Sequence, residues 1–315
     1  HFQVAYLGLN SLFGKITTLL LKQSPFIKCL KLYDDTNIGP AIDVSAINTN
    51  CKVKAFLGRD QLNSALKASN IDVDVVIIGD EGNEKAGNQE SLFPVVVDKI
   101  ISYGNAISKT APNAVVILAA APLNFLLPVL EKVLDVNGVD MRNKIFGSTA
   151  VDNICANSIL ANYLKIDPKF VTVPVIGGSS EGTRVPILSL AKPNCYIPDE
   201  VQQQIIKNIK RRDLNIFEAK GCRDSIDKAY GNVRFLTSVL SGLRGDPNIV
   251  DFAMTKTDMV NGLEFFSLPV LLGKKGISKR FSIPQINKTE EAMLSKAAIV
   301  LRKEFNKASL YFRNK

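Results

Sequence analysis

Residues 3–14 of the chain read QVAYLGLNSLFG, an apolar strand that runs through a glycine turn into the start of a helix. In folds that bind dinucleotides, the first glycine of such a turn, here Gly8, forms the bend, and the last, here Gly14, lets the helix pack closely on the strand. Ser11 and Leu12 stand between them, where small residues normally let the phosphates of the ligand approach the backbone. The stretch therefore predicts the first β–turn–α unit of a dinucleotide-binding fold, with a modified phosphate turn.

A carboxylate follows at the spacing that such folds use for the ribose of the dinucleotide. Residues 30–34, LKLYD, form a second apolar strand that ends in Asp34, 20 residues beyond Gly14. Asp34 either binds the adenosine ribose hydroxyls or simply ends the strand. Gly8, Gly14 and Asp34 are the candidate cofactor-binding residues, but the branched side chain of Leu12 would lie in the phosphate cradle. We therefore expect no bound cofactor, with NAD as the one candidate if any binds.

Strands and helices alternate along the rest of the amino-terminal half, and long helices follow. They are predicted at residues 73–78 (strand), 90–107 (helix), 115–120 (strand), 150–163 (helix), 199–208 (helix), 224–241 (helix), 263–273 (a strand pair or hairpin) and 288–312 (helix). Alternation of this kind is typical of an α/β fold in which a doubly wound parallel sheet carries its ligand crevice at the carboxyl ends of the strands. We expect a Rossmann NAD-binding-like domain over residues 1–146 and a carboxyl-terminal α+β domain over residues 147–315.

Composition narrows the class of protein. The chain has 315 residues, of which 46% are hydrophobic, so it is long enough to bury a large core. Its apolar runs have strand length, and none predicts an integral membrane segment. The five cysteines are odd in number and lack CxxC spacing, which disfavours a disulfide framework or a metal site and favours a reducing interior.

Most of the net charge lies at the carboxyl terminus. The chain carries +9, and residues 273–315 hold 11 Lys and Arg against 3 Asp and Glu, which is +8. This excess is either the solvated face of the terminal helix or a surface for an acidic partner. Aromatic residues are sparse among these cations, which disfavours a nucleic-acid platform.

A glycine turn in the second half lacks the residue that proton transfer commonly uses. Residues 173–186, VPVIGGSSEGTRVP, predict a buried strand that opens at Gly177 and Gly178 into a turn beginning with Ser179. A serine hydroxyl has no pKa near neutrality and cannot exchange protons as imidazole does. The sole histidine of the chain is His1, at the terminus, so no histidine relay is expected inside the fold.

Several segments together resemble the mitochondrial-type malate dehydrogenases of the lactate/malate dehydrogenase family, along nearly the whole chain. They are LLLKQSP (19–25), LKLYD (30–34), KIFGSTAVDNICAN (144–157), VPVIGG (173–178), AYGNVRF (229–235) and FFSLPVLLGKKGI (265–277). The resemblance implies the two-domain fold and a homodimer.

The resemblance also implies that the catalytic positions are degenerate. Ser179 stands where the family has its catalytic histidine, and Asp152 keeps the place of the acid that orients it. Cys155 and Glu84 match two of the arginines that bind the dicarboxylate substrate, and Ala121 matches an asparagine near substrate and cofactor. Without a cationic partner, Asp152 is expected to be a carboxylate that faces an open cleft.

Further differences fall around the predicted cofactor crevice. Asp80-Glu81 replace a small pair of the family, Gln89 lies near the position of the remaining substrate arginine, Gly221–Asp224 form a shortened turn, and Lys228 replaces a methionine. The negative charges of Asp80 and Glu81 would repel an anionic dinucleotide.

These losses predict a catalytically inactive relative of the family, a pseudoenzyme that serves as a structural or interaction subunit of a larger assembly. By resemblance we expect a mitochondrial matrix location, a homodimer or larger complex, and an acidic partner for the basic terminal helix. The alternative is an NAD-dependent malate dehydrogenase or related 2-hydroxy-acid oxidoreductase with altered or residual activity, using Cys155, Ser179 or Glu181 in new roles. A third hypothesis is a module that binds nucleic acid or anionic lipid through the terminal helix.

Overall fold

The computed structural model describes residues 1–67, 73–79, 89–221, 226–260 and 262–313, with residues 89–93 given by their backbone alone. The strands are β1 Phe2–Leu7, β2 Ile27–Asp34, β3 Lys52–Leu57, β4 Val75–Ile78, β5 Val115–Leu118, β6 Ile145–Ser148, β7 Val175–Gly177, β8 Arg184–Pro186, β9 Ile249–Lys256, β10 Phe265–Gly273 and β11 Gly276–Arg280. The helices are α1 Leu12–Lys22, α2 Gly39–Ser45, α3 Leu62–Leu66, α4 Gln89–Thr110, α5 Leu123–Val136, α6 Ala150–Leu164, α7 Asp199–Lys210, α8 Arg212–Lys220, α9 Ile226–Arg244 and α10 Lys288–Arg313.

The described strands form one mixed sheet whose first half is parallel. The order is β3-β2-β1-β4-β5-β6-β9-β10-β7-β8, and β11 also pairs with β10. The pairs from β3 to β6 are parallel, whereas β9 is antiparallel to β6 and starts the second half. Strands β1, β4 and β5 are inner strands covered on both faces, which explains their continuous apolar sequences. The predicted α/β fold class is thus confirmed.

Four elements of the second half lie outside the sequence-based prediction, namely β8, α8, β9 and β11. The strand pair or hairpin predicted at residues 263–273 is a single strand, β10. Strands β9 and β11 pair with it on opposite sides. Strand β9 carries two buried polar residues, Asp251 and Thr255, which interrupt the apolar pattern of a core strand. Asp251 is neutralised there by Arg234 of α9, at 2.7 Å. The sequence does not indicate α8 as a separate helix, because α8 follows α7 almost without a break in the helical pattern.

The terminal helix α10 presents one apolar and one basic face. Leu301 and Phe305 are buried, and the ring of Phe305 lies 5.9 Å edge-on from that of Phe265 in β10. Lys303 and Lys307 are exposed on the other face. In the part of the chain that the structure describes, no helix has the length and apolar character needed to cross a bilayer.

Candidate functional site

The glycine turn after β1 has the close packing that the sequence predicts. Gly8 has φ +89°, a backbone conformation that favours glycine. A Cβ on Gly14 would lie 2.5 Å from the Leu9 carbonyl oxygen, so no larger residue fits without moving the turn. Ser11 caps α1, because its Oγ accepts a hydrogen bond from the Gly14 N–H at 2.9 Å. Leu12, the first residue of α1, is 40% exposed at the surface beside this turn.

Asp34 lies next to the same turn and organises the loops around it. Its carboxylate is buried, and Oδ2 accepts a hydrogen bond from the Asn10 N–H at 2.9 Å. Oδ1 accepts from the N–H and hydroxyl of Thr36 and from the Asn37 N–H. Of the two oxygens, Oδ1 is saturated, whereas Oδ2 accepts one hydrogen bond and retains room for another donor. A ribose hydroxyl of a dinucleotide is such a donor, so the residues present fit the adenosine side of NAD.

The Ser179 turn joins β7 to β8 and is fixed by Asn124 of α5. The Ser179 N–H donates to Asn124 Oδ1 at 2.8 Å. The Asn124 amide in turn donates to Glu304 of α10 at 2.6 Å and to the Thr183 hydroxyl at 3.2 Å. Burial raises the pKa of Glu304, and the hydrogen bond from Asn124 opposes that rise. Asn124 thus ties the turn to two helices.

Asp152 corrects the expectation of a carboxylate that faces an open cleft without a cation. It is 2% exposed, and its Oδ1 accepts a hydrogen bond from Arg184 Nε at 2.7 Å. Arg184 begins β8, five residues beyond Ser179, and is equally buried. Its Nη2 donates to the Ser179 carbonyl oxygen at 3.0 Å, and its Nη1 to the Lys210 carbonyl oxygen at 3.1 Å. Arg184 therefore joins Asp152 to the Ser179 turn.

The pair extends into a larger group of charges, here called the arginine network, made up of Asp152, Arg184, Arg212, Asp213 and Asp227. Asp213 contacts both arginines, and Arg212 also binds Asp227 at 2.7 Å. Burial acts to raise the pKa of Asp213, but the two guanidinium groups hold it at about 2. Burial acts to lower the pKa of Arg184, but Asp152 and Asp213 raise it above its usual value. Asp213 and Arg184 therefore both stay charged at neutral pH.

One oxygen of Asp152 has no hydrogen-bond partner among the described residues. This atom, Oδ2, is buried. Burial raises the pKa of Asp152, while Arg184 and Arg212 act in the opposite direction. Asp152 Oδ2 can therefore accept a hydrogen bond or a proton from a further group.

Cys155 lies one helical turn beyond Asp152 on α6 and carries no charge at neutral pH. Burial raises the pKa of its thiol to about 11, although Arg212 nearby opposes the rise. The thiol is thus protonated, and it supplies neither a nucleophile nor a cation.

Some of the other predicted site residues lie in the part of the chain that the structure describes, and others do not. Ala121 is exposed at the end of the segment that follows β5, and Lys228 is half-buried near Asp213, whose pKa it helps to lower. Glu84, Asp80-Glu81 and residues 222–224 lie outside the described residues, as does the side chain of Gln89. The structure thus brings Ser179 and Asp152 together through Arg184, and Gly8, Gly14 and Asp34 around one turn.

Arg184 and Asn124 are the residues that sequence reasoning missed. A charged residue inside the apolar segment TRVPIL was the available signal for Arg184, because a buried arginine needs partners. Asn124 gave a weaker signal, since an asparagine after a proline turn usually serves only the local backbone.

Comparisons with known proteins agree with this geometry. Residues 2–147 match the family described as lactate/malate dehydrogenase, NAD binding domain, and residues 149–310 match lactate/malate dehydrogenase, alpha/beta C-terminal domain. The mitochondrial malate dehydrogenase of Felis catus is 32% identical over 316 residues, covering 99% of this chain and 92% of the relative. That of Homo sapiens is 33% identical over 309 residues, covering 97% and 90%.

Solved structures share the fold at lower identity. The apo malate dehydrogenase of Picrophilus torridus superposes with a TM-score of 0.85 at 18% identity, covering 100% of this chain and 99% of the other. The lactate dehydrogenase of Eimeria maxima, solved with NADH and oxamate, gives 0.82 at 19% identity, covering 100% and 96%.

These similarities correct two expectations. The expectation of a catalytically inactive subunit is wrong, because relatives that match nearly the full chain at 32% and 33% identity are malate dehydrogenases. The expectation of no cofactor is not supported, because residues 2–147 match an NAD-binding domain. The inactive interpretation also treats Asp152 as lacking a cationic partner, whereas the folded chain supplies Arg184 from β8.

Proposed function

The chain belongs to the lactate/malate dehydrogenase family, and on that premise we propose that it is an NAD-dependent oxidoreductase that interconverts a 2-hydroxy acid and a 2-oxo acid. Its substrate-binding residues would differ from those of the malate dehydrogenases. The observation that carries the proposal is the turn formed by Gly8, Gly14 and Asp34, in which tight packing and a partly free carboxylate oxygen fit a dinucleotide.

The chain's own residues would hold NAD at two places. The backbone of the Gly8 turn and the first turn of α1 would face the pyrophosphate, and Asp34 Oδ2 would accept a hydrogen bond from a ribose hydroxyl. When bound, NAD supplies the acceptor for the hydride that leaves C2 of the hydroxy acid.

The hydroxyl proton needs a base other than histidine, and Asp152 is our candidate. Oxidation of the hydroxy acid releases a hydride from C2 and a proton from the hydroxyl, so a group of this chain has to accept that proton. Asp152 Oδ2 is a buried carboxylate oxygen without a partner among the described residues, and burial moves the pKa of this group toward neutrality. The hydroxyl of Ser179, across Arg184 from Asp152, would position the substrate oxygen.

The charges near this base favour a substrate without a second carboxylate. The arginine network holds three aspartates against two arginines, a net charge of −1. Four hydrogen bonds already occupy the Arg184 guanidinium, which leaves it one N–H. We therefore propose a 2-hydroxy acid with an uncharged side chain, because a second carboxylate would meet no free guanidinium there.

The test is turnover with NAD and a panel of 2-hydroxy acids whose side chains are aliphatic, aromatic or anionic. We expect turnover to be highest with an uncharged side chain. Asp152→Asn should lower kcat about 100-fold or more, the usual range for loss of a general base. Asp213→Asn is the matched control, because it damages the same network without removing the proposed base, and its kcat should fall much less. Equal losses in both variants, or a preference for the anionic substrates, would contradict the proposal.

We also propose a domain division between residues 146 and 147, a mitochondrial location and a homodimer. The domain division is supported by the two family matches, the first of which ends at residue 147 and the second of which starts at residue 149. The mitochondrial location is supported by the mitochondrial relatives. The homodimer rests on the family resemblance, and an acidic surface is proposed as the partner of α10. Light scattering at low and high salt tests the association, because exposed charge pairs weaken when salt screens them. A mass of one chain in every buffer would contradict the dimer.

A further inference from the structure

A groove apart from the residues of the proposed dehydrogenase site concentrates positive charge. It lies between the carboxyl end of α7 and the first turns of α10, beside the Ser179 turn, and has a volume of about 530 Å³. Six of its lining residues define it here as the cationic groove: Glu181, Ile206, Lys207, Lys210, Arg211 and Met293. Its volume falls within the range of small-molecule sites, about 300–1,000 Å³.

The cations of the groove are poorly neutralised. Three cations face one carboxylate among its lining residues, so the lining carries +2. No carboxylate in the described ranges forms an ion pair with Lys207 or Lys210. Arg211 has two distant and exposed partners, Glu181 at 3.8 Å and Glu218 at 3.4 Å. Such exposed pairs contribute little, so an incoming anion can displace them.

Lys210 is the cation most affected by this crowding. Burial lowers the pKa of its ammonium, Glu181 opposes that effect, and the Lys296 ammonium of α10 adds to the lowering. Two cations are thus held close together on facing helices. A dianion between α7 and α10 would relieve their repulsion, and it would displace the weak contact of Glu181.

The floor of the groove is apolar. Ile206 and Met293 are half-buried side chains on the facing helices, and both line the same space as the cations. An inorganic ion would leave these side chains in contact with water, whereas a ligand with a carbon skeleton would cover them. Charge and shape together therefore define an organic anion.

We propose that the cationic groove binds a small organic dianion, either a phosphate monoester or a dicarboxylate, carried on an apolar carbon skeleton. The Arg211 fork and the two lysines hold the charged group, and Ile206 and Met293 contact the carbon skeleton. The site lies next to the arginine network, because Arg184 donates to the carbonyl oxygen of Lys210. It does not depend on the dehydrogenase proposal, since none of the six residues that define the groove has a role in that proposal.

The test is calorimetric titration of the full chain at low ionic strength, with no NAD and no hydroxy acid. The probes are phenyl phosphate, phenylmalonate, inorganic phosphate and benzyl alcohol. We expect saturable binding of one equivalent of phenyl phosphate, phenylmalonate or both, and the outcome identifies the charged group. Inorganic phosphate should bind more weakly and benzyl alcohol should not bind. Inorganic phosphate binding as tightly as the phenyl compounds, or the absence of binding by both of them, would overturn the proposal.

Three variants test where the anion binds. Two of them should change its affinity in opposite directions, and the third is a control. Lys210→Met should weaken the affinity about three- to tenfold, because it removes a half-buried charge from the site. Glu181→Gln should tighten it about two- to fivefold, because the competing carboxylate is lost. Lys54→Met is the control, an exposed lysine on β3 at the opposite end of the sheet order, and should leave the affinity unchanged. Binding that responds equally to Lys210→Met and Lys54→Met would show that the anion lies elsewhere.

Discussion

The turn at Gly8 and the turn at Ser179 are held by different kinds of contact. Around Gly8, glycines and backbone N–H groups shape the chain, and the contact from Asn10 to Asp34 spans 24 residues. Around Ser179, side chains that are distant in sequence hold the turn. Asn124 lies 55 residues before Ser179, and Arg184 binds Asp152, which lies 32 residues before it. The first turn depends mainly on backbone conformation and backbone N–H groups, whereas the second depends on side chains from distant elements. Substitutions should therefore affect ligand binding at the first and folding at the second.

The largest effect is expected from Arg184→Met. It removes one partner of a buried ion pair and leaves Asp152 as an uncompensated charge, which costs about 3–5 kcal/mol of unfolding free energy. Urea denaturation followed by circular dichroism measures the loss. Arg211→Met is the matched control, since its guanidinium is 33% exposed and its ion pairs are long, and it should cost about 1 kcal/mol or less. Equal losses in the two variants would remove the distinction between the turns.

A change at the first turn should affect NADH affinity more than folding. Asp34→Asn keeps the size of the side chain but removes the charge that accepts hydrogen bonds from Asn10 and Asn37. We expect NADH affinity to fall about 10- to 100-fold, the equivalent of losing charge-assisted hydrogen bonds worth about 1.5–3 kcal/mol. Fluorescence titration with NADH measures the change, and Asp60→Asn, at an exposed carboxylate on the segment after β3, is the control. An unchanged affinity would mean that Asp34 only ends its strand.

The smallest effect depends on pH and arises in the arginine network. The pKa of Asp213 is lowered to about 2 in the folded chain from an ordinary value of 3.8. Its contribution to stability is therefore present above the ordinary value and is lost as pH falls toward 2. Asp213→Asn should cost about 1–2 kcal/mol near neutrality, allowing for a carboxylate that is 34% exposed.

Urea unfolding of wild type and Asp213→Asn at a series of pH values checks this sign. The difference between the two proteins should shrink as pH falls below about 4. A difference that stays constant, or grows as pH falls, would show that the carboxylate is not held ionised by the two arginines.

The contrast between the turns also explains how far the sequence could predict the structure. The strand, turn and acid around Gly8, Gly14 and Asp34 follow from local patterns, and α6 was predicted to within one residue. The partner of Asp152 could not be predicted from local patterns, because Arg184 lies in another element. Its contacts form only when β8, α6 and α8 pack together. The absence of an internal histidine follows from the sequence, but the cationic partner of Asp152 depends on tertiary contacts that periodicity does not reveal.

Direct observation of hydride transfer tests the central claim. The purified chain is incubated with NAD and 2-hydroxy acids deuterated at C2, and the label in the nicotinamide is followed by mass spectrometry. We predict one deuterium in the reduced cofactor for at least one acid with an uncharged side chain, and a strong reduction of that signal in Asp152→Asn. Saturable binding of NADH without label transfer from any acid in the panel would contradict the assignment as an oxidoreductase of 2-hydroxy acids.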